Sequence, residues 1–207
     1  EIVTNTAHRY NWVQLAGAIK HPDKGHIQDL SEATNQMIGI DDSKVTLYPC
    51  DGYGDPDLLR EVIKREKIDA LFLITDPRYF EWLFQMENEI RNEVPIAYLN
   101  IWDDLPAPMY NQEFYNSCDA LFGISKQTKN INEMVLGEYG KSKIIRYIPH
   151  GLNHNIFKPI DKNNKDLQKI DDYISQGMDK DKFTLFFNSR NIRRKSIPDT
   201  ILAWKYF

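Results

Sequence analysis

Residues 70–77, ALFLITDP, join a strand signal directly to a helix signal. The first five residues are apolar, and a run of that length is typical of a buried β-strand. Asp76 and Pro77 then form a helix start, because an aspartate caps the first turn and a proline tolerates the first helical position. The stretch therefore predicts one strand followed at once by one helix.

The same order of strand and helix recurs along most of the chain. Helix starts are predicted at Asp55-Pro56 and at Ser125, the latter helix closing at Gly137. Further strands are predicted at residues 45–48, 96–101, 120–124 and 144–148. Because these strands are mostly apolar rather than alternating, they fit a parallel sheet covered on both faces. The expected fold is α/β, a Rossmann-like doubly wound parallel sheet.

The composition indicates a folded, acidic chain. Of its 207 residues, 42% are hydrophobic, and the net charge is −4. No apolar run approaches the roughly 20 residues of a membrane-spanning helix, and an acidic chain is not expected to bind nucleic acid. The cysteines, Cys50 and Cys118, and the five histidines lack metal-ligand spacing, so no metal site is predicted. Unpaired cysteines favour a cytoplasmic location.

The two ends and one polar segment define the expected domains. Residues 1–4 have strand composition and residues 203–207 have helix composition without a cap, which indicates a piece of a longer protein. Residues 161–182 are polar, as in a linker or a connecting helix. We expect three parts: a first lobe at 1–155, a linker at 156–182, and the first strand (183–187) and helix (from Ile197) of a second Rossmann-like lobe at 183–207.

The stretch FFNSRNIRRKS, residues 186–196, places positive charge where a predicted strand gives way to a predicted helix. Arg190, Arg194 and Lys195 precede that helix, which Ser196 is expected to cap. A helix N-terminus carries partial positive charge and unpaired N–H groups, so added cations favour an anion such as a diphosphate. The alternative is a solvated basic turn without a ligand.

Two short motifs resemble one known family, and so does the positively charged stretch at residues 190–195, which we call the cationic turn. Residues 147–153, YIPHGLN, and 156–159, IFKP, followed by Arg190 and Arg194-Lys195, resemble retaining GT-B glycosyltransferases of the family 4 type. The resemblance implies a two-lobed enzyme that transfers a sugar, with retention, from a nucleotide-diphosphate sugar such as a UDP- or GDP-sugar. It also implies that no metal cofactor is obligatory, and that Arg190 and Lys195, with Arg194 beside them, hold the donor diphosphate.

The resemblance implies roles for further residues, and this chain also differs from the family's pattern at several positions. His150 and Gly151 fall in the interlobe motif and are further candidates for binding the donor. Gly151 would also bend the chain, and His150 either contacts substrate or makes a structural hydrogen bond. Where the family often carries a histidine, after the strand at 96–101, this chain has Trp102 and Asp103, which become the candidate catalytic residues. The family's first strand with its glycine-rich loop is expected before Glu1, and its paired glutamates beyond the last residue.

Several polar and aromatic residues keep two interpretations. Asp103 and Asp104 are either a carboxylate pair or loop caps, and Asp76 either faces a ligand or only caps its helix. Residues 51–55, DGYGD, either contact a sugar or form a plain turn. The aromatic residues at 79–84 are either core or a sugar-binding face.

Alternatives also stay open for the function of the chain and for its partners. A non-catalytic nucleotide-sugar-binding, glycan-binding or assembly module is possible on the same fold, since a fold does not determine a function. A nucleic-acid binder is a more distant third. The acceptor stays open between a glycan, a lipid and a protein, and the whole protein is either free in the cytoplasm or peripheral to a membrane. We expect the isolated chain to have little activity and to dimerise by exchanging residues 183–187 and 197–207.

Overall fold

The computed structural model describes residues 2–161, 163–176, 183 and 185–207. The chain divides into two units, Glu1–Asn153 and His154–Phe207. The first unit contains the strands Trp12–Ala18 (β1), Gln28–Asp29 (β2), Val45–Asp51 (β3), Leu71–Ile74 (β4), Ile96–Asn100 (β5), Ala120–Gly123 (β6) and Ile144–Tyr147 (β7). Its helices are Ile2–Thr6 (α1), Ser31–Ile38 (α2), Pro56–Glu66 (α3), Glu81–Gln85 (α4), Glu87–Arg91 (α5), Gln112–Asn116 (α6) and Lys126–Leu136 (α7). The second unit contains the helices Lys165–Ser175 (α8) and Ile197–Tyr206 (α9).

Strands β4 to β7 form one sheet in the order β4-β5-β6-β7, and every neighbouring pair is parallel. The register places Leu121 of β6 between Tyr98 of β5 and Ile145 of β7. Parallel neighbours need a crossover connection, and helices supply it: α6 lies between β5 and β6 in the chain, and α7 between β6 and β7. The α/β fold with a parallel sheet flanked by helices is therefore confirmed, and it is consistent with the Rossmann-like arrangement.

A separate sheet holds the earlier strands in the order β1-β3-β2, with β1 parallel and β2 antiparallel to β3. The expectation of one continuous sheet is wrong for the described residues, where β1 pairs only with β3 and β4 only with β5. The sequence predicted β3 but neither β1 nor β2. Gln14 and the small residues that end β1 interrupt its apolar run, and β2 is only 2 residues long.

The main core lies against the parallel sheet. Its buried side chains include Tyr98 and Leu121 from the strands and Tyr115 from α6. Helix α7 contributes Ile131 and Val135, which are four residues apart and so lie on one face of the helix. Burying a large apolar side chain contributes roughly 1.5–3 kcal/mol. This core gives the sheet a fixed frame, so the turns at the ends of its strands are held in place.

Three predicted helix starts are confirmed as capped turns. The Asp55 carboxylate accepts hydrogen bonds from the first-turn amides of α3, at 3.0 and 3.1 Å. The Ser125 hydroxyl caps α7, which ends at Gly137 with a φ of 52°. Asp76 also caps, but the element that it starts is the 3₁₀ turn Pro77–Phe80, which precedes the short α4.

Expectations for the two ends are partly wrong. Residues 2–4 belong to helix α1 rather than a strand, and the Thr6 hydroxyl donates to the Ile2 carbonyl at 2.6 Å, one helical turn back. Residues 183 and 185–187 form no strand, and they have no strand partner among the described residues. The helix predicted from Ile197 is confirmed as α9, but Ser196 does not cap it. Ser196 has a left-handed φ of 46°, and its side chain accepts no bond from the first turn.

The segment predicted as a linker or a connecting helix contains α8. Asn164 caps this helix, accepting from the amides of Asp166 at 2.9 Å and Leu167 at 3.1 Å. Residues 162, 177–182 and 184, on which parts of the linker and strand predictions fall, lie outside the described residues, as does residue 1. In the described ranges, no helix has both the length and the apolar character needed to cross a membrane.

Candidate functional site

The turns at the carboxyl edge of the parallel sheet form the candidate site in the first unit. Ligands of open α/β sheets bind at this edge, outside the carboxyl ends of the strands. Thr75 and Asp76 follow β4, residues 102–104 follow β5, and residues 148–151 follow β7. The edge therefore includes the candidate catalytic residues, together with His150 and Gly151.

Trp102 and Asp103 lie in a loop whose backbone is held by hydrogen bonds. The buried Asn100 side chain accepts from the Trp102 amide at 3.0 Å, and the Thr128 hydroxyl donates to the Trp102 carbonyl at 2.7 Å. The Trp102 indole donates to the carbonyl of Asp104 at 2.9 Å. Asp103 is exposed. The arrangement therefore fixes the loop and leaves the Asp103 carboxylate accessible to a ligand.

A buried network of polar side chains contacts this loop through Asn100. The Asn100 side-chain nitrogen donates to the Tyr115 hydroxyl at 2.9 Å and to Asn132 Oδ1 at 2.6 Å. The Tyr98 hydroxyl donates to the Thr75 carbonyl at 2.6 Å. Burial raises the pKa of both tyrosines, so both hydroxyls stay protonated and can donate at neutral pH. Sequence reasoning missed this network; its one signal was a polar residue, Asn100, closing an apolar strand.

Thr75 and Asp76 form the turn after β4. Thr75 has a φ of 96°, which a β-branched residue rarely adopts. Asp76 caps the next turn through the Arg78 amide at 3.0 Å, and it also accepts two bonds from the Arg78 guanidinium, at 2.9 and 2.5 Å. The side-chain bond from Arg78 lowers the pKa of Asp76 although partial burial opposes it. Asp76 is therefore a cap, as one interpretation held, and an ionised partner of Arg78.

Exposed aromatic rings flank this turn. Tyr79 stacks on Tyr53, with ring centroids 4.4 Å apart and planes 14° apart. Tyr110 meets Trp102 nearly at right angles, with centroids 6.0 Å apart. Phe84, in the same aromatic run as Tyr79, is buried in the core. Core packing therefore explains only part of the run at residues 79–84.

Three further carboxylates have hydrogen-bond partners, and the sugar-contact alternative for residues 51–55 stays a prediction. Asp104 accepts from the Leu105 amide at 2.8 Å, which is the loop-capping interpretation. Asp51 accepts from the His21 amide at 2.9 Å and from the Lys24 ammonium at 2.8 Å. Because Asp55 caps α3, both carboxylates of the DGYGD stretch already have protein partners.

His150 and Gly151 follow β7 at the same edge as Trp102 and Asp103. The Ile148 amide donates to the Gly123 carbonyl at 2.9 Å, and both His150 and Gly151 are exposed beyond it. A side-chain carbon at Gly151 would meet no atom within 4 Å. The structure gives His150 no contact that decides between its two predicted roles.

The cationic turn lies in the second unit. Residues Arg193–Lys195 form a 3₁₀ turn immediately before α9, and Arg190, Arg194 and Lys195 are exposed. Within the part of the chain that the structure describes, none of these three cations has an ion pair. An open groove at the start of α9 is lined by Asn191, Ile192, Arg193, Arg194, Ser196, Ile197, Pro198 and Asp199.

The described ranges contain neither a candidate metal site nor a reactive cysteine. No cluster of three or more His, Cys, Asp or Glu side chains there could hold a metal ion. Burial raises the pKa of the Cys118 thiol to about 12 and also raises that of Cys50. Neither cysteine is therefore a reactive thiolate at neutral pH.

Among known proteins, no family model, no curated protein and no solved structure matches this chain. A function must therefore be argued from the residues and geometry described above.

Proposed function

We propose that this chain belongs to a glycosyltransferase that takes a sugar from a UDP- or GDP-sugar. The observation that carries the proposal is the cationic turn. Arg190, Arg194 and Lys195 precede α9, are exposed, and have no ion pair within the described residues. The resemblance of residues 147–159 to retaining GT-B enzymes supports the same function.

Electrostatics favours an anionic ligand at this turn. Like charges repel within one short turn, and the N-terminus of α9 adds partial positive charge to them. A diphosphate would remove the repulsion and gain charge-assisted hydrogen bonds, each worth about 1.5–3 kcal/mol. Since the chain has a net charge of −4, the turn is a local exception and not part of a generally basic surface.

In the proposed reaction, an acceptor hydroxyl oxygen forms a bond to the donor's anomeric carbon as the bond from that carbon to the diphosphate oxygen breaks. Negative charge develops on the leaving diphosphate, which takes up the proton that the acceptor hydroxyl loses. Arg190 and Lys195 would stabilise that charge, and the contact accelerates transfer because it is stronger in the transition state than in the ground state. Trp102 and Asp103 stay the candidate catalytic residues, since Asp103 is an exposed carboxylate on a fixed loop. Retention of configuration follows from the resemblance alone.

A non-catalytic nucleotide-sugar- or glycan-binding module is the second candidate. The loop after β5 favours it, because the family often carries a histidine there and this chain does not. The backbone N–H, the carbonyl and the indole of Trp102 are all engaged by protein groups. Such a loop serves binding as well as catalysis.

Calorimetry of the 207-residue chain with UDP, GDP and UMP tests the diphosphate site. We expect UDP or GDP to bind, and UMP to bind more weakly because it lacks the second phosphate. Arg190→Ala and Lys195→Ala should each weaken binding by about tenfold or more, equivalent to about 1.4 kcal/mol. Lys205→Ala is the matched control, because it removes the same charge from the other end of α9. Equal affinity of Lys195→Ala and the unmodified chain would refute the site.

Turnover by the whole protein separates an enzyme from a binding module. Release of UDP or GDP from a nucleotide sugar should fall roughly a hundredfold in Lys195→Ala, if one lost contact is worth about 3 kcal/mol in the transition state. Donor binding without hydrolysis or transfer would favour the module. Preferential binding of an oligonucleotide, falling steeply with salt, would instead favour the nucleic-acid interpretation.

A further inference from the structure

Both helices of the second unit have apolar side chains that face solvent. In α8, Ile170, Tyr173 and Ile174 are 53%, 77% and 48% exposed. In α9, Ile201 and Leu202 are 65% and 50% exposed. Contiguous exposed apolar side chains mark interaction surfaces. Because the side chains of both helices stay exposed, neither helix covers the other within one chain.

Helix α8 is amphipathic, and acidic residues border its apolar face. Leu167, Ile170 and Ile174 recur at intervals of three and four residues, so they form one stripe along the helix, which we call the α8 stripe. Asp166 lies four residues before Ile170 and borders the stripe on one side. Asp171 lies three residues before Ile174 and borders it on the other. The α8 stripe is therefore an apolar surface between two carboxylates.

Helix α9 has an apolar groove with a cation at each end. We define the α9 groove by the residues that line it, Asn191, Ile197, Pro198, Ile201, Leu202 and Lys205. Lys205 lies in the last turn of the helix, and Arg193 lines the adjoining groove at the helix start. From Ile197 to Lys205 α9 rises by about 12 Å, and from Leu167 to Ile174 α8 rises by about 10.5 Å. The stripe and the groove therefore match in length.

The charges of the two surfaces are also complementary. Among the described residues, Asp171, Arg193 and Lys205 have no ion pair. Asp166 pairs with Lys169 at 3.3 Å, but an exposed pair of this kind contributes little. An antiparallel arrangement places Asp166, in the first turn of α8, beside Lys205 of α9. Asp171, about 7.5 Å further along α8, then faces the Arg193 end of the groove.

A second copy of the chain is the occupant that these surfaces favour. One chain has both the α8 stripe and the α9 groove, so two copies can make the same contact in both directions and close a two-fold dimer. An anionic membrane surface would attract the cations of the groove, but it would repel Asp166 and Asp171 beside the stripe. A protein partner with its own cations satisfies both parts.

We propose that the chain forms a two-fold dimer in which α8 of each copy lies antiparallel in the α9 groove of the other. The contact differs from an exchange of residues 183–187 and 197–207, because the α8 stripe carries it. Neither Arg190 nor Lys195 takes part, so the dimer does not depend on the proposed function. The interface is small, and the dimer should therefore dissociate on dilution.

Sedimentation velocity of the 207-residue chain over a wide range of micromolar concentrations measures the dimer. We expect monomer at the lowest concentration and dimer at the highest. Ile170→Ala removes the middle of the α8 stripe and should raise the dissociation constant by about tenfold or more. Asp171→Lys should do the same, because it brings a cation to the Arg193 end of the groove. Asp172→Lys is its matched control, since residue 172 lies on the opposite face of α8 and its reversal should leave the dissociation constant unchanged.

Charge reversal at the Asp166–Lys205 pair tests the partner. Asp166→Lys and Lys205→Asp should each weaken self-association by about tenfold, because like charges then meet at both contacts of the dimer. Mixing the two variants should restore association. In the mixed dimer one contact has the reversed pair and the other has the original pair. Circular dichroism checks that these exposed substitutions leave the fold intact.

Three outcomes would overturn the proposal. The first is a monomer at every concentration, and binding of that monomer to vesicles containing phosphatidylserine would identify a membrane surface as the occupant instead. The second is a dimer that Ile170→Ala leaves equally tight, which would favour exchange of the C-terminal elements. The third is failure of the mixed Asp166→Lys and Lys205→Asp variants to associate more tightly than either variant alone.

Discussion

Strand β6 and residues 185–187 have similar apolar composition and opposite surroundings. β6 lies between β5 and β7, and its Leu121 is 0% exposed. Residues 185–187, Leu-Phe-Phe, have no strand beside them among the described residues, and all three side chains are exposed. Apolar composition therefore makes a strand only where neighbouring strands accept its backbone hydrogen bonds.

The contrast extends to the two units. In the described ranges, every fully buried side chain belongs to the first unit, and the second unit has none. Helix α9 exposes Ile201, Leu202 and Trp204. We therefore expect folding stability to reside in the first unit and the second unit to contribute its cationic turn. Dimerisation by exchange of the C-terminal elements stays a prediction.

The largest expected effect is on the free energy of unfolding, and it comes from comparing a leucine-to-alanine substitution in each of the two units. Leu121→Ala leaves a cavity in the core of the parallel sheet and should lower the free energy of unfolding by about 2–5 kcal/mol. Leu202→Ala, at a side chain that is 50% exposed on α9, should change it by less than about 0.5 kcal/mol. Urea denaturation followed by circular dichroism gives both values. Equal losses in the two variants would contradict the division into a packed and an unpacked unit.

A smaller effect, dependent on pH, is expected at Asp119, which precedes β6. Its carboxylate accepts from the Ile96 amide at 2.8 Å and from Arg91 at 2.8 and 3.2 Å. Burial alone would raise the pKa of Asp119, but these bonds outweigh it and the pKa lies below its ordinary value. The folded state therefore binds the proton less readily than the unfolded chain. The ionised carboxylate therefore stabilises the folded state. This contribution is fully present above about pH 4, and it is lost as the pH falls through the lowered pKa of Asp119 in the folded state.

Asp119→Asn should therefore cost about 1–2 kcal/mol near neutral pH, and the difference from the unmodified chain should shrink below about pH 4. The control comes from the second unit: Asp166→Asn removes an exposed pair with Lys169 and should cost less than about 0.5 kcal/mol. Denaturant titrations across acid pH measure both. A cost of Asp119→Asn that does not vary with pH would show that the carboxylate charge plays no part.

The sequence predicted the parallel sheet well because each of its strands is a short, mostly apolar run, and because helix caps follow β4 and β6 closely. The ALFLITDP stretch became β4 and a capped 3₁₀ turn. Failures occurred where a long-range partner decides the outcome. Residues 183 and 185–187 lack a strand partner, β1 gains one despite its polar and small residues, and Ser196 adopts a left-handed backbone that removes its capping geometry.

The candidate site was predictable in part. Residues 102–104 were identified because they follow a strong strand, and strand ends of this kind collect ligands. The contacts of Asn100, Tyr115 and Asn132 were not predictable, since they join residues 15 and 32 positions apart through the tertiary fold. The stacking of Tyr53 on Tyr79 likewise joins turns after two different sheets. Local patterns identify a turn, but only the fold shows which other turns it contacts.

The most direct test of the central claim is an amide NMR titration of the chain with UDP and with GDP. We expect the largest shifts at residues 190–200, over the cationic turn and the first turn of α9, and we expect Lys195→Ala to weaken the affinity that these shifts report by about tenfold or more. Shifts confined to the carboxyl edge of the parallel sheet, or no shifts at millimolar nucleotide, would contradict a diphosphate site at this turn.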